Sequence, residues 1–366
     1  MRAIAESGVY DQAAHQVDHW NDLESWIGRA VVRIHVFEFI GGGGLAGAPV
    51  PDQLAREGDL MLAALVADLL ELPDVQVSFA RDARLARPAD PRLRGAQVCW
   101  REPHATPSRA LAYEIAAADA TWPIAPETGG ELERAARAVI DAGRILLGPR
   151  PDAIRLAGSK SATARCLEQA AIEVAPCYRL GQPWPDIDST WVVKPDDGAG
   201  CVQARRFPGP REAAAALRDA RQGLIAQPWI AGDAMSLCAV AAQGQVEVLS
   251  VNRQHLRLSD GAIELAAIEV NCGPVTAPQA ALAQRVAGAI PGLDGYFGVD
   301  FVQAAEGPVV IEINPRLTSS YAGLKAAVGL NVAERVLAAA TGRRLAPRSG
   351  HRGRPVWLAF DGHARA

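Results

Sequence analysis

Apolar positions in the first half of the chain alternate between strand-like runs and helix-like spacing. Residues 31–40 have the β-branched and aromatic density of a buried strand, which stops at four consecutive glycines. Residues 52–72 repeat apolar positions at helical spacing after an acidic first turn, which predicts a helix. Further predictions are strands at 75–79 and 120–124, a helix at 131–142, and a helix or strand at 110–117. This alternation predicts a parallel sheet with helices on its faces.

The pattern changes after Pro149 and Pro151 to clustered short strands with flanking helices. Helices are predicted at residues 160–171, 278–289 and 332–340. Strands are predicted at residues 191–194, 202–205, 223–227, 236–242, 246–253, 295–303 and 308–313. The second unit is therefore expected to be an α+β fold that differs from the first.

Composition narrows the class of protein. A length of 366 residues exceeds one ordinary domain, and a net charge of -4 gives no basic field for nucleic acid. The longest apolar run, at residues 60–72, contains two acids and is too short for a membrane span. The first residues lack the apolar core of a secretory signal. Six dispersed cysteines without a C-x-x-C pair argue against a disulfide framework or zinc site and favour a reducing cytoplasm.

The strongest candidate for chemistry is a predicted pair of strands near the end of the second unit. A tight turn between Asp300 and Glu312 would place both carboxylates at the same end of an antiparallel hairpin. Asn314 projects to the same strand face as Glu312. Two carboxylates and an amide oxygen suit Mg²⁺ held together with substrate phosphates, and Arg316 can neutralise a transferring phosphoryl group. The alternative is a surface hairpin whose acids face water.

A second candidate is a lysine at a strand end, followed by a loop with two glycines. The backbone N–H groups of Gly198 and Gly200 can contact phosphate oxygens while Lys194 supplies a point charge. Taken alone, this pattern is weak, and a plain hairpin is the alternative. Lys160 begins the predicted helix at 160–171 and would by itself be an exposed first-turn residue.

The order of these residues resembles the ATP-grasp superfamily across residues 155–340. The matching positions are Lys160, Lys194, Gly198, Gly200, Gln227, Pro228, Trp229, Ile230, Asp300, Glu312, Asn314 and Arg316. The resemblance implies that the lysines and the glycine-rich loop hold the ATP phosphates and that residues 227–230 contact adenine. It implies that the acidic pair and Asn314 bind two Mg²⁺ ions, with Mn²⁺ as a substitute, and that Arg316 steadies an acyl phosphate. Gln227 stands where the family usually has Glu, and Asp233 is the candidate for the ribose contact.

The same resemblance divides the chain. It implies a Rossmann-like pre-ATP-grasp domain (30–150), an ATP-grasp lobe with the glycine-rich loop (151–225) and a lobe with the metal site (226–345). Outside the resemblance, the polar residues 1–29 are interpreted as an extension with a helix near 11–27, and the Arg- and Pro-rich residues 346–366 as a loosely attached tail. The predicted fold class is therefore α/β followed by α+β, with the ATP site in the second unit.

Residues 42–47 (GGGLAG) also fit the G-x-G-x-x-G pattern of dinucleotide-binding domains, and Asp82 follows the next strand. The helix, however, is predicted to begin only after Pro51, too late to direct its N-terminus at a pyrophosphate within the motif. An NAD oxidoreductase is therefore the less favoured alternative. In ATP-grasp enzymes this loop faces the second substrate, which makes Gly42 and Gly43 candidates for substrate binding.

Four further segments are similar to the tyramine–glutamate ligase family of methanofuran biosynthesis and its bacterial relatives. They are residues 38–43 (EFIGGG), 57–62 (EGDLML), 124–128 (IAPET) and 251–254 (VNRQ). This resemblance implies that the γ-carboxyl of glutamate is joined to the amine of tyramine or tyrosine. The expected partners are therefore a small-molecule carboxylate donor and amine acceptor, with neither nucleic acid nor membrane. Many relatives are dimers, but no feature of this sequence indicates its oligomeric state.

Roles remain open for several residues around this site. Glu127 either holds a substrate ammonium or caps the helix predicted at 131–142, and Glu38 faces either the cleft or solvent. Tyr321 either borders the acceptor site or lies on the surface. Arg253 ends a strand expected near the metal pair and is a candidate catalytic group for an α-carboxylate or γ-phosphate. His255 is a candidate general base, although a hydrogen-bonding neighbour is the favoured interpretation.

Two rival functions are retained. One is an ATP-grasp ligase for another amino-acid or amine pair. The other is a nucleotide-binding module without turnover, against which the complete set of phosphate and metal residues argues.

Overall fold

The computed structural model of the protein describes residues 31–185, 187, 189–198, 203–220, 223–341 and 353–360. The predicted helix near residues 11–27 and the start of the strand predicted at 202–205 lie outside these ranges, as does Gly200. The described chain forms two units with separate sheets that share one apolar core.

The first unit is built from alternating strands and helices. Its elements are β1 (Val32–Glu38), α1 (Asp52–Leu70), β2 (Val75–Asp82), a 3-10 helix (Pro91–Gly95), β3 (Gln97–Arg101), α2 (Pro107–Ala117), β4 (Ala120–Ile124), a 3-10 helix (Thr128–Gly130), α3 (Glu131–Asp141) and β5 (Ile145–Leu146). Among the described residues the sheet has the order β3-β2-β1-β4-β5, and its neighbouring strands pair in parallel. The predicted parallel sheet is therefore confirmed.

Burial explains why this unit folds as a covered sheet. Strand β1 buries residues on both faces, such as Ile34 and Val36 on one face and His35 and Phe37 on the other. A strand covered on both sides is typical of a parallel sheet flanked by helices. Because the strands run parallel, the loops after β1, β2 and β4 emerge at the same edge of the sheet.

The second unit is built around an antiparallel sheet. Its elements are α4 (Pro151–Ala157), α5 (Lys160–Gln169), β6 (Trp191–Pro195), β7 (Arg205–Phe207), α6 (Pro210–Asp219), β8 (Leu224–Pro228), β9 (Asp233–Ala242), β10 (Gln245–Ser259), β11 (Ala262–Gly273), α7 (Ala277–Ala289), β12 (Gly295–Ala304), β13 (Gly307–Asn314), α8 (Tyr321–Val328), α9 (Val332–Ala340) and β14 (Val356–Ala359). In the described part of the chain the strand order is β13-β12-β9-β10-β11-β7-β6-β8, with β14 added to β11.

The two faces of this sheet pack against different partners. One face of β9 and β12, including Leu237 and Val299, buries apolar side chains against α7. The other face contributes Cys238 and Tyr296 to a core that also contains Leu62 of α1. The same core includes α8 and α9, so helices of the second unit bridge its sheet to the first unit.

The structure corrects the expectation of a loosely attached tail. Residues 356–359 form β14 and pair antiparallel with β11, and the Trp357 ring lies 4.5 Å from the His255 ring. A strand added there uses N–H and C=O groups that an open sheet edge would leave unpaired. The ambiguous segment 110–117 is the C-terminal part of α2. The sequence patterns missed β3, β5, α4, α6, β11, α8 and β14. Within the described ranges, no helix combines the length and apolarity needed to cross a membrane.

Candidate active site

Two carboxylates and an amide meet at the end of the β12–β13 hairpin. Asp300 pairs directly with Glu312 across the strands, and Gly298 pairs with Asn314. The Asn314 amide donates to Asp300 Oδ2 at 3.1 Å, and the Gln254 amide donates to Asp300 Oδ1 at 3.1 Å. The register of the hairpin therefore brings Asp300, Glu312 and Asn314 together, as the sequence predicted.

The electrostatics of this cluster favour a cation. Burial and the neighbouring Glu312 carboxylate raise the pKa of Asp300 to about 7, although Asn314, Arg316 and Lys194 act in the opposite direction. A bound divalent ion would relieve the repulsion between the two carboxylates. No group of three His, Cys, Asp or Glu side chains in the described ranges is placed to hold a metal. Two carboxylates and an amide oxygen are nevertheless a donor set that fits Mg²⁺, which is commonly held by one or two carboxylates together with substrate phosphates.

Two lysines approach these carboxylates from different elements. Lys160, at the start of α5, is buried, and its Nζ donates to the Gly198 carbonyl at 2.7 Å and lies 3.4 Å from Glu312 Oε2. Lys194, on β6, lies close enough to Asp300 to lower the pKa of that carboxyl. The predicted pair of lysines therefore flanks the acidic cluster, and Lys160 is not an exposed first-turn residue.

The segment after Lys194 is anchored on both sides. Asp196 accepts hydrogen bonds from the Ser159 and Ser161 hydroxyls, and these bonds and others outweigh burial so that the Asp196 pKa is lowered. The neighbouring Asp197 accepts from the Gly129 N–H at 3.1 Å. The start of the glycine-containing loop therefore lies against the segment that follows β4 in the first unit.

The predicted adenine hinge, residues 227–230, begins in the last two residues of β8. The buried Gln227 side chain donates to the Ala175 carbonyl at 3.1 Å and to Cys177 Sγ at 3.2 Å. The Trp229 N–H donates to the Thr190 carbonyl at 2.7 Å, and the Arg206 guanidinium lies 4.9 Å from the centre of the Trp229 ring. Gln227 thus serves to anchor the hinge, a task that a neutral amide donor can perform and a carboxylate cannot.

Arg253 was predicted near the metal ligands, and the structure places it on the other face of the sheet. Cross-strand pairing aligns Asp300 with Ser236 and Asn252, whereas Arg253 aligns with Met235. Side chains alternate between faces along a strand, so Arg253 is directed away from Asp300. Its guanidinium lies 3.4 Å from Asp233 Oδ2. This pairing also holds Asp233, the candidate ribose contact, on the face opposite the carboxylates.

Gln254, the next residue along β10, was missed as a site residue although its amide contacts Asp300. Alternation along the strand puts Gln254 and Asn252 on one face, but the sequence does not say which face of β10 meets Asp300, because that depends on the strand order. Asn252 itself is buried in a network, accepting from Ser250 Oγ at 2.8 Å and donating to Ser236 Oγ at 3.1 Å. His255 lies beside Trp357, with Nε2 4.0 Å from Glu269, and its candidacy as general base finds no geometric support.

Glu38 is buried at the end of β1 and does not face solvent. Its carboxylate accepts from the N–H groups of Ile40 at 3.1 Å and Gly41 at 2.5 Å. Burial raises its pKa to about 7, and the two backbone hydrogen bonds limit the rise. Helix α1 can approach because Gly58 has no side chain; a Cβ there would lie 2.6 Å from the Glu38 carboxyl carbon.

The glycines predicted to face the second substrate shape the turn after β1. The Gly42 N–H donates to the Glu38 carbonyl at 2.8 Å, and a Cβ on Gly42 would lie 2.2 Å from that oxygen. Gly43 is buried and packs against the Arg101 side chain. Both glycines therefore have a structural explanation that is independent of a substrate.

Tyr321 lies in the core and does not border the cleft or the surface. It is 1% exposed, and its hydroxyl donates to Asp68 Oδ2 of α1 at 2.9 Å. Lys325 Nζ lies 3.3 Å from the other Asp68 oxygen, and the Asn331 amide donates to the Asp68 carbonyl at 2.8 Å. These contacts join α8 to α1 across the two units, so Tyr321 is corrected from a substrate residue to a packing residue.

Arg316 and Glu127 form a pair that the sequence did not indicate. Arg316 Nε lies 3.0 Å from Glu127 Oε1, and Nη2 donates to Glu127 Oε2 at 3.2 Å. Nη2 also lies 3.4 Å from Asn314 Oδ1, which brings the guanidinium to the edge of the acidic cluster. Glu127 provides no side-chain cap to α3. The described geometry therefore unites Lys160, Lys194, Asp300, Glu312, Asn314, Arg316 and Glu127 at the junction of the two units.

An α/β unit packed on an antiparallel sheet, with lysines, an arginine and a carboxylate pair at their junction, defines a class of proteins built for metal-assisted handling of phosphates. The family model described as an ATP-grasp domain matches residues 157–320, and the model described as a pre ATP-grasp 3 domain matches residues 75–154. The chain therefore has an ATP-grasp fold preceded by a pre-ATP-grasp domain, which confirms the predicted fold class.

Solved structures support the same fold. An ATP-grasp superfamily protein from Archaeoglobus fulgidus is 22% identical, with a TM-score of 0.64, covering 84% of this chain and 88% of that one. L-amino acid ligase from Bacillus licheniformis is 15% identical, with a TM-score of 0.60 and coverage of 85% and 75%. The biotin carboxylase domain of Hydrogenobacter thermophilus 2-oxoglutarate carboxylase, a complex with MgADP, is 15% identical, with a TM-score of 0.64 and coverage of 90% and 74%. No curated protein matches the chain significantly.

Proposed function

We propose that this protein is an ATP-dependent carboxylate–amine ligase that forms ADP and works through an acyl phosphate. The observation that carries the proposal is the meeting of Lys160, Lys194 and Arg316 with the Asp300–Glu312 pair at one junction. Cations at this position match a triphosphate and a transferring phosphoryl group, whereas the acids and Asn314 match Mg²⁺. The ATP-grasp fold, whose members use ATP and Mg²⁺, supports the same conclusion.

Each residue has a definite task in this proposal. Lys160, Lys194 and the loop beginning at Gly198 hold the phosphates, and the main chain of the hinge at residues 227–230 faces adenine. Asp300, Glu312 and Asn314 would hold Mg²⁺, two ions in this proposal, which would supply positive charge to neutralise the phosphates of ATP. Gln227 fixes the start of the hinge, because its side-chain amide donates hydrogen bonds to the Ala175 carbonyl and Cys177 Sγ.

The reaction has two steps. A substrate carboxylate oxygen attacks the γ-phosphorus, the bond to the β-phosphate oxygen breaks, and ADP leaves. A neutral amine then attacks the carbonyl carbon of the acyl phosphate, phosphate departs with the electron pair of the broken C–O bond, and the proton lost by the amine nitrogen is taken up by the released phosphate. Arg316 stabilises the negative charge that develops on the phosphoryl oxygens in both steps.

For the substrates, we favour glutamate as carboxylate donor and tyramine or tyrosine as amine acceptor. The support is the sequence similarity of residues 38–43, 57–62, 124–128 and 251–254 to the tyramine–glutamate ligase family. Two of these segments contain residues close to Arg316 at the junction, namely Glu57 and Glu127. The partly buried Glu57 carboxylate near the junction suits a substrate that carries an ammonium group.

The test is ADP release with Mg·ATP and glutamate, with tyramine and tyrosine added in parallel and the product mass recorded. Lys194→Ala and Arg316→Ala should each lose about 10²–10³ in turnover, the scale for one preorganised charge contact. Arg257→Ala is the matched comparison, because its half-exposed guanidinium pairs with Glu264 and has no part in the proposed site, and it should retain a rate close to that of the wild type.

The possible outcomes test the reaction and the substrate pair separately. An amine-dependent product with the mass of a γ-glutamyl amide supports both the reaction and the substrates. Turnover with a different amino acid or amine retains the ligase and replaces the substrate pair. Mg·ATP binding without turnover on any pair would favour a nucleotide-binding module, and near-normal rates in Lys194→Ala would contradict the assigned site.

A further inference from the structure

The donors of Arg316 are largely committed to groups of the protein. Beyond the contacts to Glu127, Arg316 Nη1 donates to the Leu317 carbonyl at 2.9 Å, and the side chain is 10% exposed. A guanidinium has five N–H groups in a rigid plane, so the hydrogen bonds from Nη2 to Glu127 and from Nη1 to the Leu317 carbonyl together fix the orientation of that plane. The orientation of Arg316 over the acidic cluster is therefore determined by Glu127 together with Leu317.

Glu127 is itself held rigidly by the first unit. Its side chain is 4% exposed and follows β4 through Pro126. A Cβ on Gly158 would lie 3.1 Å from Glu127 Cβ, so the start of the second unit packs directly on this residue. Two residues later, the Gly129 N–H holds Asp197 ahead of the glycine-containing loop. The segment after β4 thus touches both the arginine and the phosphate loop.

The charges around Glu127 argue against a substrate ammonium as its partner. The carboxylate already faces the Arg316 guanidinium, and a second cation at Glu127 would lie within a few ångströms of that positive charge. Like charges at this separation in a buried site repel strongly. If Glu127 were removed, Arg316 would keep its charge without its buried counter-ion, a change that usually reorients or displaces the arginine.

We propose that Glu127 is a positioning residue that orients Arg316 for the phosphoryl group and does not bind substrate. The Arg316 N–H groups that Glu127 and Leu317 do not use are then available to the phosphoryl oxygens, in a plane fixed in part by the pre-ATP-grasp domain. The proposal rests on the function proposed above for Arg316. It assigns to the first unit a direct part in phosphoryl transfer.

The experiment is a double-mutant cycle with Glu127→Gln, Arg316→Ala and the double variant. Glu127→Gln should lower kcat by about 10–100-fold, the scale for losing a group that orients a site residue, and leave the KM of both substrates within about twofold. The double variant should be no slower than Arg316→Ala, because Glu127 acts through the arginine. Glu131→Gln, an exposed acid paired with Arg134 on α3, is the matched control and should behave as the wild type.

Two results would overturn the proposal. One is a rise of the KM for the amino-acid substrate in Glu127→Gln with kcat retained. The other is multiplication of the two single effects in the double variant. Both are expected of a residue that binds the substrate ammonium.

A second readout does not depend on turnover. If the wild type converts no substrate, the proposed function fails, and the same cycle is read from thermal unfolding midpoints. The double variant should then shift the midpoint no further than the larger single shift, because the two side chains stabilise each other. Additive shifts would show that they act independently and would overturn the pairing.

Discussion

The buried carboxylate of Glu38 makes stability depend on pH in a direction opposite to that of most paired acids. The residue is 3% exposed, and burial raises its pKa from 4.5 to about 7 despite two backbone N–H donors. Between these values the folded protein keeps a proton that the unfolded chain has released. The free energy of unfolding therefore falls as the pH rises through this window and is steady above it. A pKa shift of one unit corresponds to ~1.4 kcal/mol. The shift of the Glu38 pKa from 4.5 to about 7 therefore lowers the free energy of unfolding by on the order of 3 kcal/mol across the window.

Replacing Glu38 by Gln removes this dependence, because the amide is neutral throughout. The free energy of unfolding of Glu38→Gln minus that of the wild type should increase between about pH 5 and pH 8, by up to about 3 kcal/mol. Urea unfolding at each pH measures this difference. Other titrating groups, Asp300 among them, are common to both proteins and cancel in the difference. The exposed Glu131→Gln serves as control and should show no such trend. A difference between Glu38→Gln and wild type that stays constant across this range would refute the reasoning.

Two further substitutions test the corrected assignments. Tyr321→Phe removes the hydrogen bond to Asp68 and should lower the free energy of unfolding by about 1–2 kcal/mol, while the KM of the amine acceptor stays unchanged; a large rise of that KM would restore Tyr321 to the acceptor site. Gly42→Ala forces a Cβ to within 2.2 Å of the Glu38 carbonyl and should cost about 1–3 kcal/mol, measured by denaturant unfolding. Gly288→Ala, with open space on α7, is its control and should be neutral or stabilising; equal behaviour of the two variants would contradict the packing argument.

The parts of the site that could be predicted are those set by local geometry. A hairpin brings together residues at equal distances from its turn, and Asp300 and Glu312 are direct partners in the register. Lys194 at a strand end and Lys160 at a helix start likewise follow from local patterns. Parallel pairing in the first unit follows from the alternation of strands and helices along the chain.

The parts that could not be predicted depend on long-range packing. The face of β10 that meets Asp300 is decided by the strand order β12-β9-β10, and this order selects Gln254 in place of Arg253. Tyr321 is buried because α8 packs on a helix more than 250 residues earlier, contacting Asp68 at a separation of 253 positions. The ion pair of Arg316 with Glu127 spans 189 positions and joins two units. Periodicity describes one element at a time and carries no information about such contacts.

The most direct test of the central claim follows the carboxylate oxygen. With glutamate labelled with ¹⁸O in its γ-carboxyl group, an acyl-phosphate mechanism transfers one labelled oxygen to the phosphate released with each molecule of amide. Mass spectrometry of the phosphate after a reaction with Mg·ATP and tyramine or tyrosine reads this transfer directly. The proposed ligase predicts singly labelled phosphate in proportion to product. Unlabelled phosphate alongside amide formation, or label recovered in AMP, would contradict an ADP-forming acyl-phosphate mechanism.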